Sequence, residues 1–139
     1  MTMNLDDIYR AFKTQAECIS YLEKIRWNDT PKCPRCNSGK FSPVKGNLAY
    51  RCNFCNRTFT ATSNTLFHRS QIDLQKWFYA IHLVIQPDKT LTIRELAEKI
   101  LVAKDTAWAI QKKIKSALIS SPELLLNIEN NLNKKIWQT

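Results

Sequence analysis

Cys33-Pro34-Arg35-Cys36 and Cys52-Asn53-Phe54-Cys55 are the two cysteine pairs that decide the fold of this 139-residue chain. Fifteen residues separate the pairs, a spacing typical of structural zinc sites. Each pair forms a tight knuckle in such sites, and the spacer is long enough for a β-hairpin that brings the knuckles face to face. Four thiolates at about 2.3 Å satisfy tetrahedral Zn²⁺ and leave no open position for a substrate. We therefore predict one structural zinc ion, bound by Cys33, Cys36, Cys52 and Cys55, and no metal-based catalysis.

Two alternatives to zinc stay open at this point. Two disulfides are disfavoured because the pairs are symmetric and the chain lacks secretory features. An iron–sulfur cluster also uses four cysteines, but this ribbon-like spacing is less typical of it. A fifth cysteine, Cys18, lies in a helical pattern and is predicted to be a small buried apolar residue.

The charge of the chain is strongly positive and unevenly distributed. The formal net charge is +9, and no Asp or Glu occurs between Thr30 and Ile72. A segment of one sign around a zinc site is typical of a protein that binds a polyanion, most simply nucleic acid. The alternative to polyanion binding is that these charges only keep the protein soluble.

The sequence shows neither the pattern of a membrane span nor that of a signal peptide. No stretch approaches the roughly 20 apolar residues that a membrane span needs, and the N-terminal residues are acidic rather than basic. This composition predicts a cytoplasmic, nucleoid-associated protein with no membrane partner.

The residue patterns predict a small α+β protein. Its four predicted segments are N-terminal helices at 1–30, a four-cysteine zinc ribbon with three short antiparallel strands at 31–72, a helix-turn-helix DNA-binding domain at 73–120 and a C-terminal helical tail at 121–139. The strands are predicted at Lys40–Val44, Leu48–Cys52 and Thr58–Thr62. A sheet this small cannot bury enough apolar area alone, so zinc is expected to supply the missing stability.

The helix-turn-helix prediction rests on two amphipathic patterns joined by a short turn. Thr92 and Glu95 form a capping box at the start of the first helix. Leu101 stands where glycine usually ends that helix, and Ala103 stands where a serine or threonine usually caps the second. An ordinary helical hairpin is the alternative. The predicted inner faces consist of Ile93, Leu96, Ala97 and Ile100 in the first helix, and Ala107, Ile110, Ile114 and Leu118 in the second.

The predicted DNA contacts follow from the opposite face of the second helix. Gln111 suits adenine, and Lys104 or Lys112 suits guanine or phosphate. Trp108 is expected to pack against the helix at Leu74–Gln86, with a DNA contact as the alternative. The complete predicted set is Lys104, Thr106, Gln111, Lys112 and Lys115 on the helix, and Lys32, Arg35, Lys40, Lys45, Arg51 and Arg57 in the ribbon, which would bind phosphates or an adjacent minor groove.

Several motifs together resemble a known family. They are Ile25-Arg26-Trp27 before the first knuckle, Cys33-Pro34 within it, Tyr50-Arg51-Cys52 at the second, Trp77-Phe78, and Thr106-Ala107-Trp108. Over roughly residues 15–118 the chain resembles the amino-terminal region of bacterial insertion-sequence transposases that begin with a zinc ribbon and continue into an ISXO-like DDE domain.

The resemblance implies a role in DNA transposition. It implies that the four cysteines bind zinc, that the ribbon and the helix-turn-helix recognise double-stranded DNA, and that Ala103–Leu118 is the recognition helix. DDE catalysis requires three carboxylates on two metal ions, in a domain that would follow about residue 140. The chain is therefore expected to be non-catalytic. His68 and His82 are isolated in the sequence and do not alter that expectation.

Two other functions remain open. The first is a protein-interaction module that docks on transcription or translation machinery. The second is a truncated transposase fragment that acts with a separate DDE chain. A homodimer or another protein partner is compatible with each of these functions.

Overall fold

The computed structural model describes residues 3–27, 31–44, 49–63, 65–67, 70–86 and 91–137. Among these residues it contains six helices and one three-stranded antiparallel sheet, which confirms the predicted α+β class. The chain forms two compact units. We call Ala16–Gln71 the ribbon unit and Met1–Gln15 with Ile72–Thr139 the helical unit. The four-segment division of the sequence stays a prediction.

The ribbon unit consists of most of helix α2 (Gln15–Trp27) and strands β1 (Phe41–Pro43), β2 (Tyr50–Cys52) and β3 (Thr58–Phe59). Strand β2 is central, and Phe41 pairs with Cys52 while Tyr50 pairs with Phe59. All three strands are shorter than predicted. The predicted turn at Lys45-Gly46-Asn47, with Lys45 among the phosphate ligands, lies outside the described residues.

The two faces of the sheet differ because side chains alternate along each strand. Ser42, Arg51 and Thr58 are exposed on one face, and Phe59 and Cys52 are buried on the other. The rings of Tyr50 and Phe59 contact Trp27 of α2 edge-on, with centroids 6.2 and 5.6 Å away. This aromatic cluster and the cysteines form the core of the ribbon unit.

The helical unit is built around α3 (Leu74–Ile85), which contacts α1 (Leu5–Ala11), α4 (Ile93–Ile100), α5 (Lys104–Ser120) and α6 (Pro122–Trp137). Trp77, Phe78 and Ile81 of α3 are at most 1% exposed. The side chain of Gln75 is buried too, and it satisfies its amide by donating to the carbonyl of Phe12 at 2.9 Å.

Helices α4 and α5 lie side by side and are joined by Leu101, Val102 and Ala103. Thr92 caps α4 as predicted, because its hydroxyl accepts from the backbone N–H of Glu95 at 3.1 Å. Leu101 ends α4 in the left-handed conformation, with φ 57°. Ala103 precedes α5 without a side-chain cap, so the turn lacks two of its usual stabilising features.

Leu101 is held in that conformation by a contact from α3. The ammonium of Lys76 donates to the Leu101 carbonyl at 3.0 Å, and the N–H of Val102 donates to the carbonyl of Ala97 at 3.1 Å. These bonds satisfy carbonyls that the end of α4 leaves open. They fix the start of α5 relative to α4 despite the unfavourable residue.

The inner faces of the two helices agree with the prediction. Leu96, Ala97 and Ile100 of α4 are buried, as are Ala107, Ile110 and Ile114 of α5, while Ile93 and Leu118 are only half-buried. Cys18 in the ribbon unit is also fully buried, as predicted. No helix of the described residues is both long and apolar enough to cross a membrane.

Candidate metal centre and nucleic-acid interface

The four predicted ligand cysteines converge on one point. Their Sγ atoms all lie within 4.8 Å of one another. Cys33 Sγ is 3.6 Å from Cys55 Sγ, and Cys36 Sγ is 3.4 Å from Cys52 Sγ. A disulfide has an S–S distance of about 2.05 Å, and all four cysteines are unbridged. The disulfide alternative is therefore wrong.

The dimensions of the cluster fit zinc. A tetrahedral ion with Zn–S bonds of about 2.3 Å separates its sulfurs by roughly 3.8 Å. The two sulfur pairs are within a few tenths of an ångström of that separation. Four thiolates in this arrangement are able to bind one zinc ion, and they fill its coordination sphere. When bound, the ion supplies structural cross-linking to the ribbon unit.

The two knuckles share one backbone conformation, which explains the residue after each. Asn37 donates to the carbonyl of Cys33 at 2.8 Å, and Asn56 donates to the carbonyl of Cys52 at 2.9 Å. Both asparagines are left-handed, with φ of 60° and 62°. Asparagine adopts this region more readily than most residues other than glycine. An asparagine therefore closes each knuckle at a low conformational cost.

Backbone N–H groups favour the thiolate form at Cys33, Cys36 and Cys52. The N–H of Cys55 donates to Cys52 Sγ at 3.4 Å and lowers the pKa of Cys52 to about 6. At Cys36 the backbone N–H of Ser38 also favours thiolate, but loss of solvent and donation to the neighbouring sulfurs outweigh it and raise the pKa to about 12.

Helix α2 ties the metal cluster to the rest of the ribbon unit. The guanidinium of Arg26 donates to the carbonyl of Ala61 at 3.0 Å and lies 5.2 Å from the centre of the Trp27 ring. Burial lowers the pKa of Arg26, although a guanidinium stays charged. The hydroxyl of Tyr50 donates to Glu23 at 3.0 Å. The Arg26-Trp27 motif is therefore a structural part of the ribbon.

The comparisons with known proteins agree with this geometry. Residues 13–58 match the transposase zinc-ribbon domain. The matched segment contains α2, both knuckles and strands β1 and β2. The resemblance noted from the motifs is therefore confirmed for the zinc ribbon.

A longer relative extends the similarity beyond the ribbon. The chain is 28% identical over 112 residues to a Halobacterium salinarum protein described as "Uncharacterized protein in transposable element ISH50". The match covers 78% of this chain and 37% of that protein, so the chain spans little more than a third of the relative's length. No solved structure matches the chain at a significant level.

The predicted DNA-contact residues of the zinc ribbon are exposed wherever the structure describes them. Lys32, Arg35 and Lys40 are exposed around the first knuckle, and Arg51 and Arg57 around the second. Arg51 projects from the middle strand, between Ser42 and Thr58 on the open face of the sheet. Their exposure leaves these cations accessible to a polyanion.

The predicted contact residues on α5 divide into two groups. Lys104, Lys112 and Lys115 are exposed, whereas Thr106 and Gln111 are half-buried. With 3.6 residues per turn, the three lysines share the side of α5 that faces away from the buried alanine and isoleucines. Thr106 and Gln111 lie at opposite edges of the buried stripe, so their side chains extend less far toward a ligand than those of the three lysines.

Trp108 does not pack against α3 as expected. The side chain is 54% exposed, and the ammonium of Lys112 lies 4.9 Å from its ring centre. The residue shares the outward side of α5 with the lysines, since it is one turn after Lys104 and one turn before Lys112. An aromatic ring thus lies on the same outward side of α5 as the three predicted contact lysines.

Sequence reasoning also missed a buried polar pair in the helical unit. His82 Nδ1 of α3 lies 2.7 Å from Glu129 Oε1 of α6, and Asn133 donates to the same oxygen at 3.2 Å. Glu129 is 8% exposed, and among the described residues its Oε2 atom has no hydrogen-bond partner. No local signal reveals this pair, because 47 residues separate its members.

Proposed function

We propose that this chain is the duplex-DNA-recognition part of a transposase-type protein, with one structural zinc ion. The observation that carries the proposal is the division of α5. One side buries Ala107, Ile110 and Ile114, and the other exposes Lys104, Lys112 and Lys115. A helix of this kind after a three-residue turn fits the second helix of a helix-turn-helix, which enters the major groove.

The zinc ribbon supplies a second basic surface in this proposal. Its exposed cations would bind phosphates, which orient a protein on DNA without reading sequence. The match of residues 13–58 to a transposase zinc-ribbon domain supports this role, as does the relative encoded in a transposable element. The stretch without acidic residues between Thr30 and Ile72 lowers electrostatic repulsion toward the phosphates.

Sequence preference would come from the N-terminal half of α5. Gln111 is suited to adenine through its amide, and Lys104 to guanine. The Trp108 ring, with Lys112 against it, would contact a thymine methyl group or a sugar. Lys115, in the C-terminal half of the helix, would bind a phosphate. In this proposal α5 determines which DNA sequence is preferred, and the zinc ribbon contributes affinity that does not depend on sequence.

Selection of duplexes from a random library tests the proposal. We expect the zinc-loaded chain to enrich a defined motif, and the Gln111→Ala variant to lose discrimination at one base pair by about 1–3 kcal/mol. Arg51→Ala, a ribbon control, is expected to weaken binding to all sequences alike. A library that shows no enrichment, or a motif that depends on Arg51 and not on α5, would contradict the assignment.

A further inference from the structure

Phe54 is a large aromatic residue that lies outside the buried core of the ribbon unit. Its side chain is 75% exposed at the tip of the second knuckle, outside the aromatic core of the zinc ribbon. The knuckle around it is held firmly. Cys52 donates to the carbonyl of Arg57 at 2.9 Å, and Asn56 donates back to Cys52 at 2.9 Å. A rigid turn therefore presents this ring to solvent.

The first knuckle provides an internal comparison. Arg35 occupies the position in Cys33–Cys36 that Phe54 occupies in Cys52–Cys55. The same pattern of backbone bonds holds both knuckles, since Cys33 donates to Ser38 at 3.0 Å as Cys52 does to Arg57 at 2.9 Å. Equivalent backbones direct equivalent side chains outward. The metal cluster is thus flanked by an exposed guanidinium at one tip and an exposed phenyl ring at the other.

Cations surround the second knuckle on both sides. Asn53 donates to the carbonyl of Lys40 at 2.9 Å, and Cys52 donates to that of Arg57 at 2.9 Å. Lys40 and Arg57, whose carbonyls accept these hydrogen bonds, both have exposed basic side chains. An apolar protein partner would have to desolvate these charges without compensation. A nucleotide suits both the exposed ring and the cations beside it. Its base presents a flat face to the ring, and its phosphates pair with the cations.

We propose that Phe54 stacks on an unpaired DNA base while Lys40 and Arg57 bind the phosphates beside it. A base within a regular duplex offers no free face, so this contact selects DNA with exposed bases, such as a duplex that ends in a single strand. The inference rests on the DNA binding proposed above and narrows the kind of DNA that the zinc ribbon prefers.

The test uses two single-stranded probes of equal length and charge, an oligothymidylate and an oligomer whose residues are all abasic. Fluorescence anisotropy measures the affinity of the zinc-loaded full chain for each. Stacking of one base on an aromatic side chain predicts at least about fivefold tighter binding of the oligothymidylate. Phe54→Ala is expected to remove that difference by weakening only the probe with bases, and Phe54→Trp to retain it.

Two further variants make the test decisive. Phe54→Leu keeps an apolar side chain without an aromatic face, and it decides the matter if the alanine variant fails to bind zinc. Leu126→Ala removes another exposed apolar residue, 48% exposed on α6, which carries no predicted DNA contact, and is expected to change nothing. The stacking proposal is overturned if the wild type binds both probes equally, or if Phe54→Ala weakens both probes or neither.

Failure of the two proposals can be told apart. A chain that binds the abasic probe and a duplex, but shows no preference for bases, refutes only the role of Phe54. A chain that binds neither a duplex nor either probe refutes the DNA-binding function itself.

Discussion

The contribution of α5 to DNA binding can be predicted quantitatively from its exposed lysines. Replacing Lys104, Lys112 and Lys115 by glutamine removes three positive charges from the outward side of the helix. Since all three side chains are exposed, the buried face of α5 stays intact and the fold is expected to persist. The change is therefore a test of binding rather than of stability.

The expected magnitude follows from counterion release. Eight cationic side chains in the predicted DNA-contact set are exposed among the described residues, three on α5 and five in the zinc ribbon. If each neutralises one phosphate, log K falls with log salt at a slope of about −7, and the triple variant should have a slope of about −4.5. Over a fourfold rise in salt, the wild type should lose about 40-fold more affinity than the variant.

Anisotropy titrations of a fluorescent duplex at four or more salt concentrations measure both slopes. The matched control is the triple variant of Arg10, Lys24 and Lys134, which loses the same charge from exposed sites on α1, α2 and α6. The control is expected to lower the affinity slightly and to keep the slope. Equal slopes for the α5 variant and the wild type, or a slope that falls only in the control, would refute the assignment of α5.

Three predictions concern stability, measured by denaturant titration of the zinc-loaded chain. Trp27→Ala should destabilise the ribbon unit by about 2 kcal/mol, because the ring contacts Tyr50 and Phe59 edge-on; an unchanged midpoint would show that this cluster is dispensable. Leu101→Asn should stabilise the helical unit by about 1 kcal/mol, because asparagine tolerates the left-handed conformation and Leu101 is 68% exposed; a loss of stability would mean that the side chain packs favourably. Glu129→Ala should cost about 2 kcal/mol, since it leaves the partly buried His82 imidazole without its hydrogen-bonded carboxylate, whereas Asn130→Ala should cost less than about 0.5 kcal/mol; equal effects of the two would contradict the importance of the pair.

Local patterns predicted the parts of the structure that local chemistry determines. Cysteine spacing was sufficient to predict the metal cluster, because each knuckle closes through bonds within a few residues. The Thr92 cap and the buried stripes of α4 and α5 were equally predictable, since they depend on spacing along a helix. The family resemblance added the expectation of a transposase zinc ribbon, which the match at residues 13–58 confirms.

The features that sequence reasoning missed are tertiary. Lys76 reaches the Leu101 carbonyl from 25 positions away, and this contact supports a turn that lacks glycine. The expectation for Trp108 failed because an aromatic residue in a helix is usually buried, whereas this one lies on the outward side with Lys112. Strand β2 is short because it ends at Cys52, where the second knuckle begins.

The central claim is that one zinc ion keeps the basic zinc ribbon able to bind DNA. The most direct test is a chelator titration of the full chain on a labelled duplex, with zinc release and anisotropy recorded in the same sample. We predict one zinc ion per chain and loss of bound DNA in step with its release. Protein that contains no zinc when isolated, or that stays on DNA after its zinc has gone, would contradict the account.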